Sequence, residues 1–179
     1  MLRREKAVVA LMDVQGNLAH AMHRREQLFQ NIRRMVQGAT ILGLPILWTE
    51  QTPDKLGRTV PEIAELLPDI HPMPKASFSC CGCAAFMEGL QALGRYEVLL
   101  TGIEAHVCVY QTAVDLLARQ CRVDVVADAV SSRTADNRAI GLQRMSACGA
   151  GITSTETALF ELLRTGDAPE FRQILSLIR

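Results

Sequence analysis

Three short runs of the chain, AVVALM at 7–12, YEVLLT at 96–101 and RVDVVA at 122–127, are rich in β-branched and aliphatic residues and lack a clean polar alternation. A strand with one face in water alternates apolar and polar side chains, whereas a strand covered on both faces reads as a nearly continuous apolar run. Such strands need helices on both sides, and the intervening sequence supplies them. Leu28, Phe29, Ile32, Met35, Val36, Ala39 and Leu42 recur at helical spacing, as do Val109, Ala113, Leu116 and Leu117. PILWT at 45–49, a brief segment near 69–72 and AGIT at 150–153 add three more strands. The pattern predicts an α/β fold: a three-layer, doubly wound, Rossmann-like domain with a mostly parallel sheet of about six strands. With 179 residues, 49% of them hydrophobic, the expectation is a single domain over residues 1–179. An apolar stretch at 168–178 predicts a last helix that packs on its own domain or on a neighbour.

Charge narrows the partners. Nineteen basic residues balance nineteen acidic ones, so no overall field draws in nucleic acid or an anionic membrane, and the expected partner is a small molecule recognised locally. The apolar runs are too short to span a bilayer, and the basic start Met1 to Lys6 leads straight into a strand. The six cysteines, at 80, 81, 83, 108, 121 and 148, are not needed as disulfide staples in a chain this long and apolar. Reduced thiols and a cytoplasmic location are therefore expected.

In a doubly wound sheet, ligands bind outside the carboxyl ends of the strands, where the winding direction switches. Asp13, Glu50, the residues after Gly102, and Asp128 fall at such ends. Cys108 follows a buried strand and opens a helix running to about Arg119. There the helix dipole and free N–H groups are expected to lower a thiol's pKa and to hold negative charge on a bound oxygen; the plainer reading is a buried cysteine acting as a small hydrophobe. Asp13 has no adjacent basic residue and is a candidate general base, or else the cap of a turn. Lys75 follows two prolines close after the predicted third strand, where an ordinary lysine is solvated. Cys80, Cys81 and Cys83 lack zinc-knuckle spacing and read as a small-residue helix start. His106 lies two residues before Cys108 and is read as pocket lining rather than as a base. Gln15 and Gln51 offer amide hydrogen bonds to substrate or to the loop carrying Lys75. Phe78 is a further pocket candidate, and the loop at 51–68 a candidate lid or subunit contact.

VVALMDVQGNL at 8–18, PKASF at 74–78 and GIEAHVCVYQTAVDLL at 102–117 together resemble the three signature blocks of the isochorismatase-like cysteine hydrolase superfamily, in the same order and at compatible spacing. WTEQTPDKLGRTVPEI at 48–63, VVADAVSSR at 125–133 and CGAGITSTET at 148–157 are similar in more detail to isochorismatase domain-containing proteins. The resemblance implies a catalytic triad of Asp13, Lys75 and Cys108. It implies an oxyanion hole of the Glu104 and Cys108 backbone N–H groups, a cis peptide between Ile103 and Glu104, and a homo-oligomer. It also implies a hydrolase that attacks an amide-like or ureido-like C–N bond through a thioester on Cys108. In the alternative, Asp13 cleaves a vinyl ether or ester without covalent catalysis, or the fold has become a noncatalytic binding protein.

Two departures from the family pattern matter. Nicotinamidases hold a metal through an Asp-x-His element and a further histidine, but the matching segment here is Glu50-Gln51-Thr52, and no histidine occurs between His23 and His71. The expectation is no metal, no cofactor, and a substrate other than nicotinamide. Leu18, within Gly16-Asn17-Leu18, stands where many members have an aromatic residue, which removes one wall of the pocket.

Overall fold

The computed structural model describes residues 1–179. Strand β1 (Ala7–Met12) is followed by a one-turn helix α1 (Gly16–His20), the long helix α2 (Arg25–Ile41) and β2 (Ile46–Gln51). Two further one-turn helices, α3 (Pro53–Leu56) and α4 (Pro61–Ala64), lead to β3 (Met73–Lys75). A 3-10 turn at Cys80–Gly82 opens α5 (Ala84–Leu93), and β4 (Glu97–Ile103) then enters a π-helical turn, Ala105–Val109, continuous with α6 (Tyr110–Ala118). The chain ends with β5 (Arg122–Ser131), α7 (Ala135–Ala147), β6 (Gly151–Thr153), α8 (Thr155–Leu163) and α9 (Phe171–Ile178).

All six strands are parallel, in the order β3-β2-β1-β4-β5-β6. The fold class read from the apolar runs is therefore the observed one, with the sheet wholly rather than mostly parallel. Along β1, alternate residues serve opposite faces. Ala7, Val9 and Leu11 join a core of 28 buried residues with α2, α8 and α9; Val8, Ala10 and Met12 join a core of 19 with α5, α6 and α7. Both faces are thus dry, which is why no polar alternation marks this strand. Helix α2 turns Leu28, Ile32, Met35, Val36 and Ala39 to the sheet at helical spacing. No helix of the chain is long and apolar enough to cross a membrane.

Two expectations need correction. The third strand lies at 73–75 rather than near 69–72, so Lys75 ends the strand instead of following it. This strand is at the sheet edge, where Pro74 is tolerated opposite Glu50 because an edge strand need not donate on both sides. The fifth strand runs on to Ser131: a register shift between Leu100 and Gly102 lets it bulge and resume pairing at Val130. Of the two places expected for the last helix, its own domain or a neighbour, the structure shows the first: α9 packs on α2 of its own chain, with Ile174 fully buried.

The winding direction reverses between β1 and β4, and Gly102 makes their close approach possible. It pairs with Met12 at φ +113°, and a Cβ there would overlap the Met12 carbonyl oxygen. Gly102→Ala is expected to cost at least about 2 kcal/mol in urea unfolding, from backbone strain and overpacking together; parental stability would show that the two strands need not approach so closely.

Candidate active site

The switch point gathers residues distant in sequence. Asp13 leaves the end of β1 in a left-handed conformation, φ 57°, with its N–H bonded to the Thr49 carbonyl at 3.2 Å. Thr49 Oγ1 donates to Asp13 Oδ1 at 2.9 Å, and Lys75 Nζ donates to Asp13 Oδ2 at 2.7 Å. Neither member of this ion pair is in contact with bulk water: the Lys75 side chain is 0% exposed and that of Asp13 is 3% exposed. The Lys75 ammonium also donates to Gln51 Oε1 at 2.6 Å and to the carbonyls of Ser77 and Phe78 at 3.1 and 3.0 Å. Burial pushes the Asp13 carboxyl above its ordinary range, with Lys75 and Thr49 pulling the other way.

Cys108 sits in the π-helical turn after β4, buried, and shares with Asp13 a cavity of about 100 Å³. Leu18, Gln51, Leu56, Phe78, Ile103, Glu104 and Val107 complete its lining. The thiol does not have the depressed pKa expected of a cysteine at a helix N-terminus. It is pushed up to about 12, first by burial and then by the negative charge of Asp13, against the pull of Lys75. Desolvation and a facing carboxylate outweigh a helix dipole, whose effect is modest and confined to the first turn.

The Ile103–Glu104 peptide is cis. The Glu104 N–H makes no hydrogen bond within the chain, although Glu104 lines the cavity. The Glu104 carboxylate is held at 3.0 Å by the Arg133 N–H and at 3.1 Å by its Nε, which ties the ends of β4 and β5 together. Helix α7 supports the same turn closely. A Cβ on Gly141 would come within 2.7 Å of the Ala105 carbonyl group, so only glycine lets the helix lie there.

Two residues expected in the pocket lie elsewhere. Gln15 is fully buried; its Nε2 donates to the carbonyls of Gln51 and Gly57 at 3.1 and 2.7 Å, and its Oε1 accepts the Gln51 N–H at 2.6 Å. It clamps the loop after β2 and has nothing left for a ligand. His106 points its Nδ1 at Ser132 Oγ, 2.9 Å away, and does not line the cavity. Leu18, Gln51 and Phe78 do line it, joined by Leu56, Ile103 and Val107, which look in sequence like ordinary core residues. Thr49 gave no sign of its role in the sequence, and Cys80, read there only as part of a helix start, has its Sγ 3.7 Å from Thr49 Oγ1. Glu50 holds the loop instead of a ligand, accepting from the Thr59 N–H at 2.7 Å and from Arg58. No group of three or more His, Cys, Asp or Glu side chains is arranged to hold a metal ion.

Residues 6–157 match the isochorismatase domain. Isochorismatase domain-containing protein 2A of Mus musculus is 36% identical over 176 residues, covering 98% of this chain and 84% of that protein. Secreted isochorismatase effector Isc1 of Phytophthora sojae is 38% identical over 177 residues, covering 97% and 84%. The structure of MAR1 ribonuclease from Caenorhabditis elegans superposes with a TM-score of 0.93 at 35% identity, covering 99% of this chain and 91% of that one.

Removing Lys75 alone leaves a carboxylate buried without its counter-ion. Lys75→Met is expected to lose about 3 kcal/mol at neutral pH in urea unfolding. The Asp13 pKa then rises further above its unfolded value, so the loss is smallest below the ordinary carboxylate pKa and grows as pH rises towards the folded one. Adding Asp13→Asn should recover part of the stability; no recovery would show that the charge of Asp13 is not what Lys75 offsets.

Proposed function

The chain belongs to the isochorismatase family of hydrolases, and from that premise we propose that it is a metal-independent cysteine hydrolase cleaving a small amide-like or ureido-like C–N bond. One observation carries this reading: Asp13, oriented through both oxygens by Lys75 and Thr49, shares a single small cavity with the Cys108 thiol.

The chemistry follows from the raised thiol pKa. Cys108 attacks as a thiol, its proton passing to Asp13 Oδ as the C–S bond forms, because a free thiolate would be a second anion beside the carboxylate. The carbonyl oxygen takes up the negative charge and is held by the Glu104 N–H and by the N–H of Cys108. Asp13 returns the proton to the nitrogen, the C–N bond breaks, and ammonia or an amine departs from a thioester. Water then gives its proton to Asp13 as its oxygen adds to the thioester carbon, and the acid leaves as the thiol is reformed. Lys75 keeps Asp13 in place and balances its charge throughout.

The Caenorhabditis elegans relative is described as a ribonuclease. A cavity of about 100 Å³ is well below the roughly 300–1,000 Å³ of pockets that enclose drug-sized ligands, and Lys75, the cation behind it, is wholly engaged by the chain. Both points favour a small molecule over a nucleotide. We place the chain in the cytoplasm on its six free thiols, although the Phytophthora sojae relative is described as secreted. We read residues 1–179 as one domain and infer a homo-oligomer from the exposed apolar side chains of Ile140 and Ile152. Sedimentation velocity is expected to show more than one copy; a monomer would overturn that inference.

With butyramide as probe, ammonia release should fall at least about 1,000-fold in Cys108→Ala and in Asp13→Asn, as for catalytic groups that act as a unit. The rate depends on ionised Asp13, so it should rise with pH through a value above the ordinary carboxylate range, then stay flat until the thiol ionises at about 12. A rate that instead climbs through the ordinary thiol range near pH ~8.5 would indicate a preformed thiolate and sink this scheme. Full activity in Cys108→Ala with loss in Asp13→Asn would favour the noncovalent alternative.

A further inference from the structure

We propose that the cavity selects uncharged amides bearing a short apolar group and excludes substrates carrying a carboxylate or phosphate. The inference rests on the reading of Cys108 as nucleophile and names the substrate class of that site.

Beyond the reacting groups, the walls are Leu18, Leu56, Phe78, Ile103 and Val107. Two other polar residues line the cavity: Glu104, whose carboxylate is bound by Arg133, and Gln51, whose side chain is used at both ends. Its Oε1 accepts from Lys75 at 2.6 Å, and its Nε2 donates to the Ala76 carbonyl at 2.7 Å and to Thr52 Oγ1 at 3.3 Å. An ammonium has three protons, and Lys75 already faces four acceptors: Asp13, Gln51, Ser77 and Phe78. No proton remains for a substrate anion. Arg58 and Arg133, near the same end of the sheet, are bridged to Glu50 and Glu104 and do not line the cavity. The Glu104 N–H is a donor without a partner in the chain, and together with the Cys108 N–H it suits a single carbonyl oxygen.

An anionic substituent entering here would give up its water, find no cation, and face the Asp13 carboxylate. Charges are buried in proteins only when paired, so this cost falls on binding and transition state alike. An alkyl group of a few carbons meets the opposite situation, since five of the nine lining residues, Leu18, Leu56, Phe78, Ile103 and Val107, are aliphatic or aromatic. Phe78 and Leu56, 53% and 37% exposed, stand partly in solvent and so mark the mouth and limit the length of that group.

The test is alkylation of the intact protein by iodoacetamide and by iodoacetate, which differ in charge at nearly equal size, with adducts located by mass spectrometry. Relative to free cysteine, Cys108 should prefer the neutral reagent by at least about 100-fold, while the exposed Cys148 shows no such preference. Ammonia release from butyramide should exceed that from succinamate, the same chain ending in a carboxylate, by a similar factor. Leu56→Lys, which places a cation at the half-open mouth, should narrow both ratios at least tenfold. Equal labelling of Cys108 by the two reagents, or equal turnover of the two amides, overturns the selectivity and leaves the nucleophile standing. A Cys108 inert to both reagents while Cys148 reacts overturns the nucleophile reading itself, and the selectivity with it.

Discussion

The ion pair between Lys75 and Asp13 joins the ends of β3 and β1 across the end of β2, and the geometry at this end of the sheet hangs from it. A lysine and a carboxylate removed from water cost several kcal/mol each before they attract, so the pair persists only with nearly every hydrogen-bonding position filled. Thr49 takes the second carboxylate oxygen, and Gln51 and two carbonyls take the rest of the ammonium. Those partners come from β2 and from the turn after β3. The pair therefore fixes where three chain segments end relative to one another, and β2, lying between the partners, supplies two of the groups that hold them.

The other half of the site is set by contacts between backbones. Gly102 lets β4 press against the last residue of β1, and Gly141 lets α7 lie against the turn that carries Cys108. The Glu104 carboxylate, bound by Arg133, joins the exit of β4 to that of β5. The thiol is thus placed by close packing while the carboxylate is placed by hydrogen bonds. The two systems meet where β4 presses on β1 and across the cavity, and the cavity is the place where a substrate carbon can enter.

This division explains what was legible in the sequence. Strands β1 and β4 showed at once because burial on both faces leaves an unbroken apolar run. Strand β3 was misplaced because three residues at a sheet edge, one of them proline, carry almost no periodic signal, and β5 was cut short because its bulge passes through Asp128. Asp13, Lys75 and Cys108 could be singled out by position and by the block pattern, but their meeting is a product of strand order and no local pattern shows it. Gln15 and His106 misled for a common reason: a polar side chain near a strand end looks like a ligand donor until its hydrogen bonds are counted, and here they go to backbone carbonyls and to a serine. Leu56, Ile103 and Val107 misled in the opposite direction, since a cavity lined with aliphatic side chains cannot be told from a core by residue type.

The raised thiol pKa, contrary to the expectation from a helix N-terminus, gives these features a single rationale. A small apolar cavity can hold one negative charge if one cation is bonded beside it, and Lys75 is that cation. A resting thiolate would be a second anion, and burial together with Asp13 disfavours it. In the proposed cycle the charge is moved rather than created: it lies on Asp13 at rest, on the carbonyl oxygen when Asp13 holds the thiol proton, and on Asp13 again when the leaving nitrogen has taken that proton. At no stage do the reacting groups carry more than one negative charge against the one ammonium. A substrate with its own carboxylate would break that balance at every stage, including the resting complex. The apolar walls and the guarded thiol are thus consequences of the same constraint, a site with room for one counter-ion.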